Sequence, residues 1–168
     1  MKKTLCAILI AAAAYCILTM PGTATAALDK KTAYIFSHAH FDPIWMDSQA
    51  GETLRQFAVV RQQLEYAEIE PRFKFALAEV DYLKPYWDAY PLDRERILKL
   101  ARAGRIDFTS GYNEPDESST GGEALIRNFA YGKLFKETLF GATVTTGAQH
   151  DVFGHAPQLP QILLGTGH

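Results

Sequence analysis

Two imidazoles and a carboxylate stand at alternate positions in the run His38-Ala39-His40-Phe41-Asp42-Pro43-Ile44-Trp45. In an extended backbone, residues two apart face the same side, so His38, His40 and Asp42 would open into one pocket. Pro43 favours that geometry, because the residue before a proline is pushed toward an extended conformation. Nitrogen and oxygen donors converging in this way suit zinc, which binds them at about 2.0–2.2 Å. Trp45 adds a broad apolar face beside them. A second stretch, Asp151-Val152-Phe153-Gly154-His155-Ala156-Pro157, puts a carboxylate on a glycine-containing loop. Taken alone it is a turn carrying an aspartate, with Pro157 expected in the first turn of a short helix.

These groups need elements to hold them. The apolar residues 33–36 read as a buried strand that delivers His38 to its mouth. Residues 51–69 carry apolar side chains at helical spacing, with Pro71 beyond them as a stop. Residues 72–77 alternate and then turn apolar, a second strand with Glu79 just past its end. A short aromatic helix over 82–90 is followed by one that Pro91 opens and Gly104 closes at C′. Residues 105–109 read as a third strand. The acidic loop 111–119 reads from composition as a solvated turn. A helix over 122–140 and a threonine-rich fourth strand over 141–146 complete the pattern. Strands alternating with helices four times predict an α/β fold with a parallel sheet, whose site lies at the carboxyl ends of the strands.

The chain has 168 residues, enough for about one domain, with 48% hydrophobic residues and a net charge of −2. It carries no basic block, which argues against a nucleic-acid partner. Lys2 and Lys3 precede an apolar run from Leu5 to Leu18, and Ala24-Thr25-Ala26 offers a small-residue cleavage site. Residues 1–26 therefore read as a secretory signal peptide, leaving residues 27–168 as an exported domain, periplasmic or extracellular, with no membrane attachment after cleavage. Both cysteines, Cys6 and Cys16, fall in that leader. Disulfides, thiol nucleophiles and cysteine-bound zinc are thereby excluded from the mature domain.

The two chemical stretches, in this order and at this distance, resemble the amino-terminal catalytic domain of the glycoside hydrolase family 38 α-mannosidases. Weaker agreement runs between them at Glu79-Val80-Asp81-Tyr82, Gly104-Arg105, Asp116-Glu117 and Gly122-Glu123-Ala124-Leu125-Ile126-Arg127. The resemblance implies a zinc-dependent retaining glycosidase that hydrolyses terminal α-mannosyl linkages in glycans. It implies His40, Asp42 and Asp151 as zinc ligands, Asp151 also as the nucleophile, and Trp45 and Phe153 as walls around the sugar. His38 then orients a ligand from behind. A retaining enzyme needs a second carboxyl group about 5–5.5 Å from the nucleophile as acid/base.

Family members are several times longer, with a barrel of about seven strands. The fold expected here is therefore the first four βα units of a parallel (β/α)7-type barrel, incomplete. The acid/base residue and a last zinc-ligand histidine are expected outside this chain, which implies weak or no turnover by the fragment. His150 and His155 are expected to bond locally within their loop. Two other readings compete with this one. A metal-dependent amidohydrolase also uses His-x-His-x-Asp, though Pro43 stands where such a site wants histidine. A non-catalytic incomplete barrel would expose an unpaired strand edge through which copies associate.

Overall fold

The computed structural model describes residues 31–168, so the signal peptide expected at residues 1–26 lies outside the described residues. Three short strands, β1 (Ser37–His38), β2 (Phe75–Leu77) and β3 (Ile106–Phe108), form a parallel sheet in the order β1-β2-β3. Ser37 pairs with Phe75, and Phe75 with Ile106. Parallel neighbours require crossover connections. Helix α1 (Gln49–Ile69) joins β1 to β2, and α2 (Val80–Ala89), a 3-10 turn at Pro91–Asp93 and α3 (Arg94–Arg102) join β2 to β3. Helices α4 (Gly122–Phe140) and α5 (Leu159–Thr166) follow. The α/β class and the parallel pairing are those expected. Residues Ile35–His168 form one compact unit.

The sheet is sealed by stripes from α1, α2 and α3, while Ile162 of α5 packs in a separate cluster with Leu125 and Phe129 of α4. Phe57, Val60, Leu64 and Ala67 recur on α1 at steps of three and four and are buried with Tyr82, Leu83 and Tyr86 of α2 and Ile97 of α3. Each large apolar side chain so buried contributes about 1.5–3 kcal/mol. Ser48 caps α1 by accepting from the Gly51 N–H, and Gly104 sits at φ 64°, the left-handed conformation that closes α3. Arg105 then braces the entry to β3, donating to the carbonyls of Ala67 at 2.6 Å and Glu70 at 2.7 Å.

Several expected boundaries move. The buried strand over 33–36 is not present: Ile35 and Phe36 are 95% and 60% exposed, and β1 begins at Ser37. Ser37 already pairs with the first residue of β2, so the residues before it have no strand beside them. Strand β2 is likewise shorter than the expected 72–77. The fourth strand over 141–146 does not form. Ser110 donates its N–H to Thr146 O at 3.1 Å, but Ser110 itself has φ 63°, which turns the chain out of the extended form before a ladder can begin. Pro157 lies outside the last helix, which starts at Leu159 with Pro160 in its first turn.

Candidate functional site

Past the carboxyl ends of β1 and β3, three segments converge on the ring of His40. On one side, His40 Nε2 lies 3.3 Å from Asp42 Oδ1 and 3.9 Å from Asp151 Oδ2. On the other, His40 Nδ1 is buried and lies 3.5 Å from Glu114 Oε2. The expected ligands His40, Asp42 and Asp151 are therefore brought together across more than a hundred residues of sequence. The side chains of Asp42 and Asp151 are 46% and 73% exposed. Asp151 has φ 56°, a left-handed conformation that costs a non-glycine residue about 1 kcal/mol or more and must be held in place by its surroundings.

What holds it is the loop after β3. The Glu114 carboxylate accepts from the His150 backbone N–H at 2.9 Å, meets His150 Nδ1 at 3.0 Å and accepts from Ser110 Oγ at 3.3 Å. Glu117 does the same for the following turn, accepting from Ala156 N–H at 2.7 Å and contacting His155 Nδ1 at 3.3 Å. The side chains of Glu114 and Glu117 are 2% and 0% exposed. The expected solvated acidic turn is thus a pair of buried carboxylates. Both oxygens of each meet polar groups of the neighbouring segments, which offsets desolvation. His150 and His155 bond within this loop system, as expected.

His38 is placed against His150, one residue before Asp151. Strand pairing ends at His38, and its ring stacks on His150 at 4.0 Å between centroids. Loss of solvent, and then the neighbouring His150, lower its pKa below the ordinary imidazole range. Trp45 and Phe153 are exposed.

Beneath the rim lies a buried polar layer that sequence reasoning missed in part. Glu79, expected on the rim, is buried at the start of α2, and neither carboxylate oxygen has a hydrogen-bond partner. Burial, and then the nearby charge of Glu114, push it up to about 8. One donor atom from each of His40, Glu79 and Glu114 lies within 4.8 Å of the others. Lys136 of α4 is buried behind them and donates to the carbonyls of Thr109, Ser110 and Gly111, the last two at 2.9 Å. Burial brings it down to about 7. Its signal was a lysine on the stripe Leu125, Phe129, Gly132, Lys136, Phe140, the buried face of α4. Gly132 is required there because a Cβ would stand 2.1 Å from the Gly111 backbone. That approach lets Asn128 hold the loop through Tyr112 N–H and Asn113 N–H.

The outer donors fit a divalent cation better than the inner ones. His40 Nε2, Asp42 and Asp151 present one nitrogen and two solvent-facing carboxylates. Glu79, by contrast, retains its proton near neutral pH, and the Glu114 oxygens already accept from protein groups.

Comparison with known proteins identifies the family. Residues 30–168 match the family model described as the glycosyl hydrolases family 38 N-terminal domain. Alpha-mannosidase G of Dictyostelium discoideum is 31% identical over 134 residues, covering 77% of this chain and 12% of its own length. Alpha-mannosidase 2C1 of Homo sapiens is 33% identical over 140 residues, covering 81% of this chain and 13% of its own length. The chain thus spans about one eighth of the length of these curated relatives. The crystal structure of an alpha-mannosidase from Enterococcus faecalis V583 superposes with a TM-score of 0.71 at 28% identity, over 79% of this chain and 15% of that one. The expectation of a metal-dependent amidohydrolase is thereby set aside: the chain is a member of glycosyl hydrolase family 38, matching its N-terminal domain.

Proposed function

We propose that this chain forms the nucleophile-bearing part of a zinc-dependent retaining α-mannosidase acting on terminal α-mannosyl groups of glycans. The observation that carries the reading is the meeting of His40 Nε2 with Asp42 and Asp151 at 3.3 and 3.9 Å, with Asp151 exposed at a left-handed backbone position. Strain maintained at an exposed carboxylate is characteristic of functional positions. A zinc ion held by His40, Asp42 and Asp151 would supply a template for adjacent sugar hydroxyls.

The residues of the chain do the rest. Asp151 attacks the anomeric carbon, its oxygen forming the new bond as the glycosidic oxygen leaves and takes a proton from a general acid. No residue of this chain is assigned as that acid. Water then cleaves the mannosyl ester, so that configuration is retained overall. Trp45 and Phe153, both exposed, offer apolar faces to the ring of the sugar. We further read the domain as comprising residues 27–168, the first four βα units of a (β/α)7-type barrel, exported by the leader at residues 1–26.

An activated fluoro-mannoside whose fluoride leaves without an acid tests the assignment. Incubated with the zinc-loaded protein, it should leave a mannosyl adduct on the peptide containing Asp151, read by mass spectrometry. Labelling of another carboxylate, or equal labelling of the Asp151→Asn variant, would overturn it.

A further inference from the structure

The carbonyls of Thr109, Ser110 and Gly111 all meet one nitrogen, Lys136 Nζ, the last two at 2.9 Å. In an extended strand successive carbonyls point to opposite sides, so three in a row on one point require the chain to leave the strand. It does so at Ser110, which holds φ 63° while wholly buried. Carbonyl dipoles turned onto a common centre repel one another unless a cation lies between them. Rings of backbone carbonyls replace the hydration shell of a monovalent ion in this way. The three acceptors also count the protons on their partner. An ammonium has three N–H donors and no acceptor, whereas a neutral amine would turn a lone pair on one of the carbonyls. Burial works against that charge, and the Glu79 and Glu114 carboxyl groups work for it.

Helix packing delivers the lysine. Gly132 lets α4 lie against the Gly111 backbone, and Lys136 stands one turn further along the same buried face. What the carbonyl cup supports lies on the far side of Ser110. The Ser110 N–H donates to Thr146 O at 3.1 Å, and its hydroxyl donates to the Ala148 carbonyl. The same hydroxyl lies 3.3 Å from Glu114, whose other oxygen accepts from the His150 N–H at 2.9 Å. The segment leading to Asp151 is therefore hung from the turn that the ammonium holds, where no fourth strand forms to carry it.

We propose that the carbonyls of residues 109–111 form a monovalent-cation site that the Lys136 ammonium fills from within, and that Lys136 is through it a positioning residue for Asp151. The site takes a primary alkylammonium and requires its charge. The consequence for zinc rests on the zinc reading, whereas the cation site itself belongs to the metal-free chain.

Lys136→Ala removes the side chain beyond Cβ, and n-propylammonium matches the missing atoms. In the metal-free full chain, amide exchange at Ser110 and His150 should quicken by about 10–100-fold in this variant, the ratio that corresponds to losing hydrogen bonds to a charged donor. Added n-propylammonium should restore slow exchange at both amides, and 1-propanol, neutral and of similar size, should not. Zinc affinity should follow the same course, falling about tenfold and recovering with the ammonium. Wild-type exchange at His150 in the variant, no rescue by the ammonium, or equal rescue by 1-propanol overturns the proposal. If Lys136→Ala folds only with n-propylammonium present, the site is upheld. If it stays unfolded, Lys136→Met decides: this uncharged chain of similar length should leave both amides fast, and wild-type exchange there overturns the proposal. Failure of the zinc reading looks different, because zinc binding would be indifferent to Asp42→Asn and Asp151→Asn while the ammonium rescue of the amides persisted.

Discussion

Two pairs of carboxylates flank the same imidazole, and they differ in solvent more than in chemistry. Asp42 and Asp151 face outward beside His40, while Glu79 and Glu114 lie inward and are buried. Within the inner pair the fates diverge again. Glu114 is paid for by three donors and stays an acceptor, whereas Glu79 has none and holds its proton up to about 8. A carboxylate's role here is set by which hydrogen-bond donors reach it. The outer pair is available to a ligand because the fold leaves it unsatisfied, and the inner pair organises the rim because the fold encloses it.

The largest effect expected from breaking this contrast is on the outer side. Asp42→Asn or Asp151→Asn should lower zinc affinity by more than the roughly 10–100-fold expected of an outer partner. Both should leave the metal-free unfolding free energy within about 0.5 kcal/mol, as for exposed sites generally. Calorimetric titration and urea unfolding measure the two quantities, and a large stability loss with intact zinc binding would reverse the assignment.

On the inner side, Glu79→Gln replaces a titrating group with a neutral one of the same shape. Folded Glu79 keeps a proton that the unfolded chain releases near 4.5 and that it releases itself near 8. The stability it contributes is therefore complete below 4.5 and is lost as pH rises through about 8. The Gln variant should gain on the wild type across that window by roughly 2–4 kcal/mol, measured by urea unfolding of the metal-free protein at pH 5 and pH 8. A constant difference across that range would mean that Glu79 titrates normally.

Lys136→Met tests the layer beneath both pairs. Removing its ammonium leaves the carbonyls of Ser110 and Gly111 without their donor, at a cost of about 2–3 kcal/mol, and should speed amide exchange in the loop after β3. Smallest of the four is Gly132→Ala. Its methyl group would meet the Gly111 backbone, so α4 must shift away at a cost of about 1–2 kcal/mol. Zinc affinity should drop with it, because the shift loosens the Asn128 contacts that hold the Glu114 loop.

How much was legible in the chain varies with how local the cause is. Helix α4 matches the expected 122–140, and Gly104 closes α3, because periodicity and a left-handed glycine act within one element. Residues 141–146 depart from the expected strand for the opposite reason. Threonine and valine favour strands, but the backbone at Ser110 turns away where the ladder would start, and that turn is held by Lys136 from a helix in between. The burial of the acidic loop is not legible in composition, which records charge and is blind to the N–H groups that other segments bring to it.

The sequence by itself determined the chemical kinds at the site. His-x-His-x-Asp before a proline, and an aspartate on a glycine loop far along the chain, name the donors and the family that uses them. Only the tertiary structure decided how those donors are arranged: His38 stacks on His150, Glu114 and Glu117 turn inward, and His40 is held between an open pair of carboxylates and a closed one. The physical reason is burial. Whether a carboxylate or an imidazole is a ligand, a brace or a proton store depends on the solvent and hydrogen-bond partners that distant segments leave to it.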